Sequence, residues 1–273
     1  MEIIEDFSFD SRFGALTHFR GQRHLVLAVI EGQTFLTFDL LRHRMMGIVS
    51  TSIAQDDAFW DRRLLPISIG IMGTTLGIAP LHCACLERNG DGLLIAGASG
   101  AGKSTLTAAL ARRGFSFISD DWTYLSKIAS GLTAYGLASP VKLLPDAVRF
   151  FDELRECPTR ATLNGEIAYE IDPRETLSAK IQNEAHPRWL FFLERNGAPG
   201  CSFLPCRGEY ARAFFEHSAE RLPEEVPEAT TARSALINAL TERPCWILRS
   251  GDSPHATAEA LDNFLESLSH AAA

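Results

Sequence analysis

The run Gly97-Ala98-Ser99-Gly100-Ala101-Gly102-Lys103-Ser104 constrains this chain more than any other stretch. It satisfies G-x-x-x-x-G-K-[ST] at every position. Its flanks agree. The apolar strand Leu93–Ala96 leads in, and a helix over Ser104–Arg113 leads out, with Leu106, Ala109, Leu110 and Arg113 at helical spacing and Gly114 as its C-terminal cap. The glycines let the backbone fold around a polyphosphate without Cβ clashes. The exposed N–H groups and the helix N-terminus then meet its negative charge. The segment from Gly97 to Thr105 is therefore the candidate nucleotide-binding loop, with Lys103 expected to reach the β- and γ-phosphates and Ser104 expected to ligate Mg²⁺. ATP and Mg²⁺ are the implied cofactors. No LSGGQ, NKxD, HRD or DFG occurs, which argues against transporter ATPases, GTPases and the common protein kinases.

Seventeen residues beyond Lys103, the strand Phe115–Ser119 ends in Asp120-Asp121. If that strand lies beside Leu93–Ala96, both carboxylates approach the phosphates. One can hold Mg²⁺, directly or through water. The other can accept a proton from an attacking hydroxyl. Away from a phosphate loop, the same pair would read as a surface turn.

The rest of the chain reads as α/β. Strands are expected at His24–Glu31, Thr34–Phe38 and Gly47–Ile53, with a hairpin turn at Gly32-Gln33, and a helix at Phe59–Gly73. Leu81–Arg88 reads as a strand, turning at Asn89-Gly90-Asp91-Gly92 into Leu93–Ala96. Further strands are expected at Trp122–Lys127, Leu132–Leu137, Glu166–Ile171, Arg188–Glu194 and Cys245–Arg249, and helices at Pro145–Glu156, Gly208–Arg221, Ala229–Thr241 and Pro254–Ser269. This divides the chain into a strand-rich N-terminal portion, 1–75, and a nucleotide-binding portion, 76–273. The segment Leu64–Leu86 carries no Asp, Glu, Lys or Arg and is long enough to span a bilayer of about 30 Å. Its glycines, prolines and His82 favour a buried helix followed by a buried strand instead.

With 26 Lys+Arg against 34 Asp+Glu, the net charge of −8 argues against a nucleic-acid partner, which would need a basic footprint. None of the six cysteines forms paired CxxC zinc knuckles; Cys83 and Cys85 should share one strand face. The opening MEIIEDFSFD has neither the basic nor the apolar region of a secretory signal, so a cytoplasmic location with reduced thiols is expected.

The run Leu81–Ser126 resembles the catalytic core of HPr kinase/phosphorylase and its shorter relatives. Four features carry the likeness: His82 opening the strand, a hairpin, GxSGxGKS including Ser99, and Asp120-Asp121 after the next strand. The resemblance implies a P-loop kinase core related to phosphoenolpyruvate carboxykinase, acting on serine hydroxyls. It makes Asp120 the general base, leaving metal support to Asp121, and sets His82 beside the reacting phosphate. The Glu166–Ile171 run, EIAYEI, lacks the Arg-Gly of the E-[IV]-R-G-L-G signature of the long enzymes. That points to the short relatives, which include kinases of ribosomal-peptide pathways such as those acting on lasso-peptide precursors. An N-terminal strand module would suit capture of an extended peptide.

The expected partner is thus a peptide or small protein bearing a serine, with no membrane span, and a homo-oligomer is compatible with the reading. HPr itself as substrate, a small-molecule hydroxyl as acceptor, and a nucleotide sensor without transfer are the alternatives. Glu170, Asp172 and Arg174 are secondary candidates for metal or substrate contact, Arg112 and Arg113 read as helix C-terminal dipole partners, and Trp122 reads as core.

Overall fold

A computed structural model describes residues 16–30, 34–128, 131–137, 140–162, 166–195, 200–217, 226–251 and 253–271. The turn expected at Gly32-Gln33 falls outside them.

The chain begins with an antiparallel meander of β1 (Leu16–Gln22), β2 (Leu25–Ile30), β3 (Thr34–Asp39) and β4 (Arg44–Ile48). Alternation selects its inner face: Val26, Ala28, Ile30, Leu36 and Phe38 are buried. The strand expected at Gly47–Ile53 ends early, because Ser50 caps a short helix, α1 (Thr51–Ala54), accepting from the Ile53 N–H at 3.3 Å. The expected helix at Phe59–Gly73 is α2 (Asp57–Phe59), a π-turn at Trp60–Leu64, and α3 (Leu65–Met72). Phe59, Leu64, Ile67 and Ile71 pack under the meander, and Val226 and Ala229 complete that core.

The uncharged stretch Leu64–Leu86 is divided among α3, a 3₁₀ turn at Gly73–Leu76, β5 (Ile78–His82) and β6 (Ala84–Arg88). Among the described residues, no helix is long and apolar enough to cross a membrane. The single strand expected at Leu81–Arg88 is two strands in two sheets. β5 pairs with β9 (Trp122–Ile128), whereas β6 pairs with β7 (Asp91–Gly97). The chain changes sheets at Cys83, whose N–H bonds the Leu81 carbonyl at 3.0 Å and whose own carbonyl accepts from Thr123 Oγ1 at 2.8 Å. Cys83 and Cys85 therefore do not share a strand, although both are buried in one core.

The central sheet has the order β16 (Ser202–Cys206), β17 (Cys245–Ser250), β15 (Pro187–Arg195), β7, β6, β8 (Ser116–Ser119). β7, β15 and β17 are parallel. β6 is antiparallel to both β7 and β8, so β8 runs parallel to β7. β8 is thus not beside Leu93–Ala96 as expected; one strand intervenes. Even so, β7, β8, β15 and β17 all end at one edge. The hairpin between β6 and β7 turns at Asn89 and Gly90, with φ of 55° and 89°, as an Asn-Gly turn of the primed type requires. Near-continuous apolar runs mark these strands as covered on both faces. Leu93, Ile95, Phe191 and Leu193 meet α4 (Lys103–Arg112), and Ala258 and Leu261 of α8 (Pro254–Ala271) join the same layer. Leu94, Ala96, Leu190 and Phe192 meet α6 (Gly208–His217) and α7 (Pro227–Thr241).

Two smaller sheets flank the site. One is β14 (Glu184–Ala185), β10 (Gly131–Gly136), β9 and β5. The other is β11 (Val141–Leu143), β13 (Ile167–Ile171) and β12 (Thr159–Ala161). The helix expected at Pro145–Glu156 is two 3₁₀ turns, Pro145–Arg149 and Asp152–Glu156. The His255 Nε2–H donates to the Phe150 carbonyl at 2.7 Å, and the chain straightens at Phe151. The extended backbone at Phe151, with φ of −130° and ψ of 99°, is what breaks the helical ladder between the two turns. A short α5 (Pro173–Leu177) follows β13. Cys206 and Cys245 face each other across β16 and β17 with sulfurs 2.9 Å apart.

Candidate nucleotide and phosphoryl-transfer site

β7 delivers the glycine loop into the edge where the parallel strands end. A Cβ at Gly97 would lie 2.8 Å from the Leu193 carbonyl oxygen, so only glycine fits between β7 and β15 there. Gly100 and Gly102 have φ of 76° and 96°, which turns the loop back before Lys103 opens α4. Lys103 is only 8% exposed. Its ammonium donates to the Gly97 carbonyl at 2.9 Å and the Ala98 carbonyl at 3.4 Å. Burial lowers its pKa, while the charges of Asp121 and Asp120 work against that fall.

Asp120 and Asp121 follow β8 and sit in opposite environments. Asp120 is 4% exposed. It accepts from the Ser104 hydroxyl and from the Lys142 backbone, yet its Oδ1 has no hydrogen-bond partner. Burial first, and then the charge of Asp121, push its carboxyl up to about 7. Asp121 opens into the cleft with its side chain 67% exposed, and its Oδ1 lies 2.8 Å from His82 Nε2. The cleft walls oppose its charge, but the His82 hydrogen bond and the charges of His82, Lys103 and Lys142 outweigh them and hold its carboxyl below the usual range.

β5 and β9 place His82 directly opposite Trp122, and their rings stack at 5.4 Å. Trp122 also packs against the N-terminal core. It therefore bridges that core and the site rather than being simply buried.

These residues share one cleft of about 1030 Å³. Ser99 to Thr105, His82, Asp120 and Asp121 all line it, together with Asp61, Pro66 and Ile67 from the helical segment under the meander. Gly97 and Ala98 instead line a second cavity behind the loop, of about 470 Å³. Of the secondary candidates, only Glu170 lines the cleft. Asp172 caps α5, accepting from the Arg174 N–H at 2.7 Å, which makes that pair a turn. Arg112 pairs with Glu153, and Arg113 with Asp262 on α8, rather than serving only the helix dipole.

Three residues were missed in the sequence: Lys142 on β11, Glu166 beside it, and Arg195 at the end of β15. Lys142 and Glu166 form an ion pair on the cleft wall. No motif announces them, because they reach the cleft by tertiary pairing. Among the described residues, no cluster of three or more His, Cys, Asp or Glu could hold a metal ion by itself. The Ser104 hydroxyl and the unpartnered oxygen of Asp120 are suited to a hard cation that draws its remaining oxygens from phosphate and water.

No protein-family model matches the chain, and no curated protein does. Among solved structures, the chain is similar to the Hpr(Ser) kinase/phosphatase from Coxiella burnetii. Identity is 20%, the match covers 46% of this chain and 76% of that one, and the TM-score is 0.29. A likeness of that size carries no inference about activity.

Proposed function

We propose that this protein is an ATP-dependent kinase that transfers the γ-phosphate to a serine hydroxyl of a peptide or small protein. The observation that carries the reading is a convergence at one sheet edge: the loop lysine Lys103, the Ser104–Asp120 pair, and the open Asp121–His82 pair. Loop N–H groups and Lys103 would bind the triphosphate, with Lys103 exchanging its carbonyl partners for phosphate oxygens. Ser104 and Asp120 would hold Mg²⁺, which when bound neutralises charge on the phosphates.

The division of labour supported by this geometry reverses the one the resemblance implies. Asp120 is buried against the P-loop hydroxyl, a metal-supporting position. Asp121 faces the cleft, where an acceptor hydroxyl can meet it. Asp121 would take the hydroxyl proton as the serine oxygen bonds the γ-phosphorus and the bond to the bridging oxygen breaks, releasing ADP. His82 orients Asp121. A peptide acceptor is supported by the N-terminal unit, which supplies the exposed edge strand β4 and part of the cleft wall.

The test is transfer of labelled γ-phosphate to serine peptides and to a panel of small hydroxyl compounds. Asp121→Asn should bind Mg²⁺-ATP and transfer roughly 10²- to 10⁴-fold more slowly. Asp120→Asn should lose the Mg²⁺-dependent part of ATP binding. Transfer to no hydroxyl would sink the kinase reading, transfer only to small compounds would sink the peptide acceptor, and near-wild-type transfer by Asp121→Asn would return the base to Asp120.

A further inference from the structure

The glycine loop lies between two strand ends. On the β8 side stand the carboxylates. On the other side β15, hydrogen-bonded to β7, ends in Arg195. The Arg195 guanidinium lies close against the loop: a Cβ on Gly102 would sit 3.8 Å from its Nη2 and 4.0 Å from its Nε. Arg195 lines both the main cleft and the cavity behind the loop, so its side chain reaches the boundary between them.

The charge balance of the cleft calls for such a group. Four cationic side chains line it among the described residues, against six carboxylates. Lys142 is paired with Glu166. Arg149 is paired with Asp146 at 3.4 Å and lies over the Phe150 ring. Lys103 is satisfied by carbonyls. Arg195 is exposed, and among the described residues its guanidinium has neither a carboxylate nor a carbonyl partner. A polyanion entering this net-acidic cleft meets one cation that need not break an existing contact to bind it.

We propose that Arg195 is a phosphate-binding residue of the nucleotide site, closing on the phosphate chain from the β15 side while Lys103 and the loop N–H groups hold it from below. The planar guanidinium suits two phosphate oxygens at once, which a lysine ammonium does not reproduce. This inference rests on the nucleotide reading of the loop and adds a residue that the motif does not contain.

The experiment measures binding of Mg²⁺-ATP and of inorganic tripolyphosphate to wild type, Arg195→Ala and Arg195→Lys by calorimetry. The side chain is exposed, so the variants should fold, and unchanged melting temperatures without ligand check this. Arg195→Ala should weaken both ligands by a similar factor, roughly 10- to 100-fold, as for a lost charged hydrogen-bond pair. Arg195→Lys should recover only part of it. Wild type binding neither ligand would overturn the nucleotide reading, and this inference with it. Wild-type binding with Arg195→Ala unchanged would overturn the Arg195 assignment alone. So would a loss confined to ATP, which would move Arg195 to the nucleoside.

Discussion

Asp120→Asn should stabilise the fold relative to wild type far more at pH 8 than at pH 5. The native carboxyl is pushed up to about 7 from an ordinary 3.8, chiefly by burial and then by the Asp121 charge. Between those two values the native state holds a proton that the unfolded chain has released, so wild-type stability falls as pH rises through this window. At about 1.4 kcal/mol per unit, the charged carboxylate costs about 4 kcal/mol once pH exceeds both values. Most of that develops between pH 5 and 8, where linkage gives a change of about 2–3 kcal/mol. Asparagine does not titrate, and the Ser104 hydroxyl can still donate to its oxygen. Its buried NH₂ adds a penalty that is the same at both pH values. Urea unfolding of both proteins at pH 5 and pH 8, with chelator present and no nucleotide, isolates the carboxylate, since every other titrating group is common to the pair. A stability difference that stays flat between the two pH values would refute the buried, destabilised carboxylate.

Lys103→Ala should abolish transfer and most triphosphate affinity, measured by single-turnover transfer and calorimetry, while the fold persists. Ser104→Ala should weaken ATP binding only when Mg²⁺ is present; equal loss with and without Mg²⁺ would separate Ser104 from the metal. His82→Ala removes the donor that holds Asp121 low, so the acid limb of the kcat/KM profile should move to higher pH, with KM for ATP little changed. Gly97→Ala forces a Cβ to within 2.8 Å of the Leu193 carbonyl oxygen, and chemical unfolding should show a loss of about 1–3 kcal/mol.

What could be read from the sequence tracks what is local. The strand-loop-helix around Gly97–Ser104 is fixed by its own glycines and by apolar spacing, and the structure has it where the pattern puts it. The Asn89-Gly90 turn is equally self-contained. The failures are non-local. The charge-free run Leu81–Leu86 carries no mark of the sheet change at Cys83, because the crossing is set by Thr123 forty residues on. The sequence around Pro145–Glu156 has helical spacing, but the backbone becomes extended at Phe151, where the Phe150 carbonyl accepts from His255 of α8, a partner more than a hundred residues away. Arg195 belongs to the cleft because β15 ends there, and Lys142 because β11 lies along the cleft wall; the placement of strands in a sheet is not written in any one of them.

The interposed strand β6 shows how such an error can leave the chemistry intact. The sequence pattern suggests β8 beside β7, and β6 lies between them instead. The approach of the carboxylates to the loop needs only that both strands end at the same edge. Two antiparallel pairings in succession restore a parallel direction, so β8 still points its C-terminal carboxylates towards the loop. The extra strand sets their lateral offset. Asp120 then meets Ser104 at the start of α4, and Asp121, the next residue in the bend between β8 and β9, turns the other way towards His82 on the neighbouring sheet. Adjacent residues of one type are thereby separated into a buried, proton-retaining carboxyl and an open, ionised one. The bend that carries the chain from β8 in one sheet to β9 in another is sufficient to set the two carboxylates in opposite environments, and the proposed division into base and metal support rests on that difference rather than on the order Asp-Asp in the sequence.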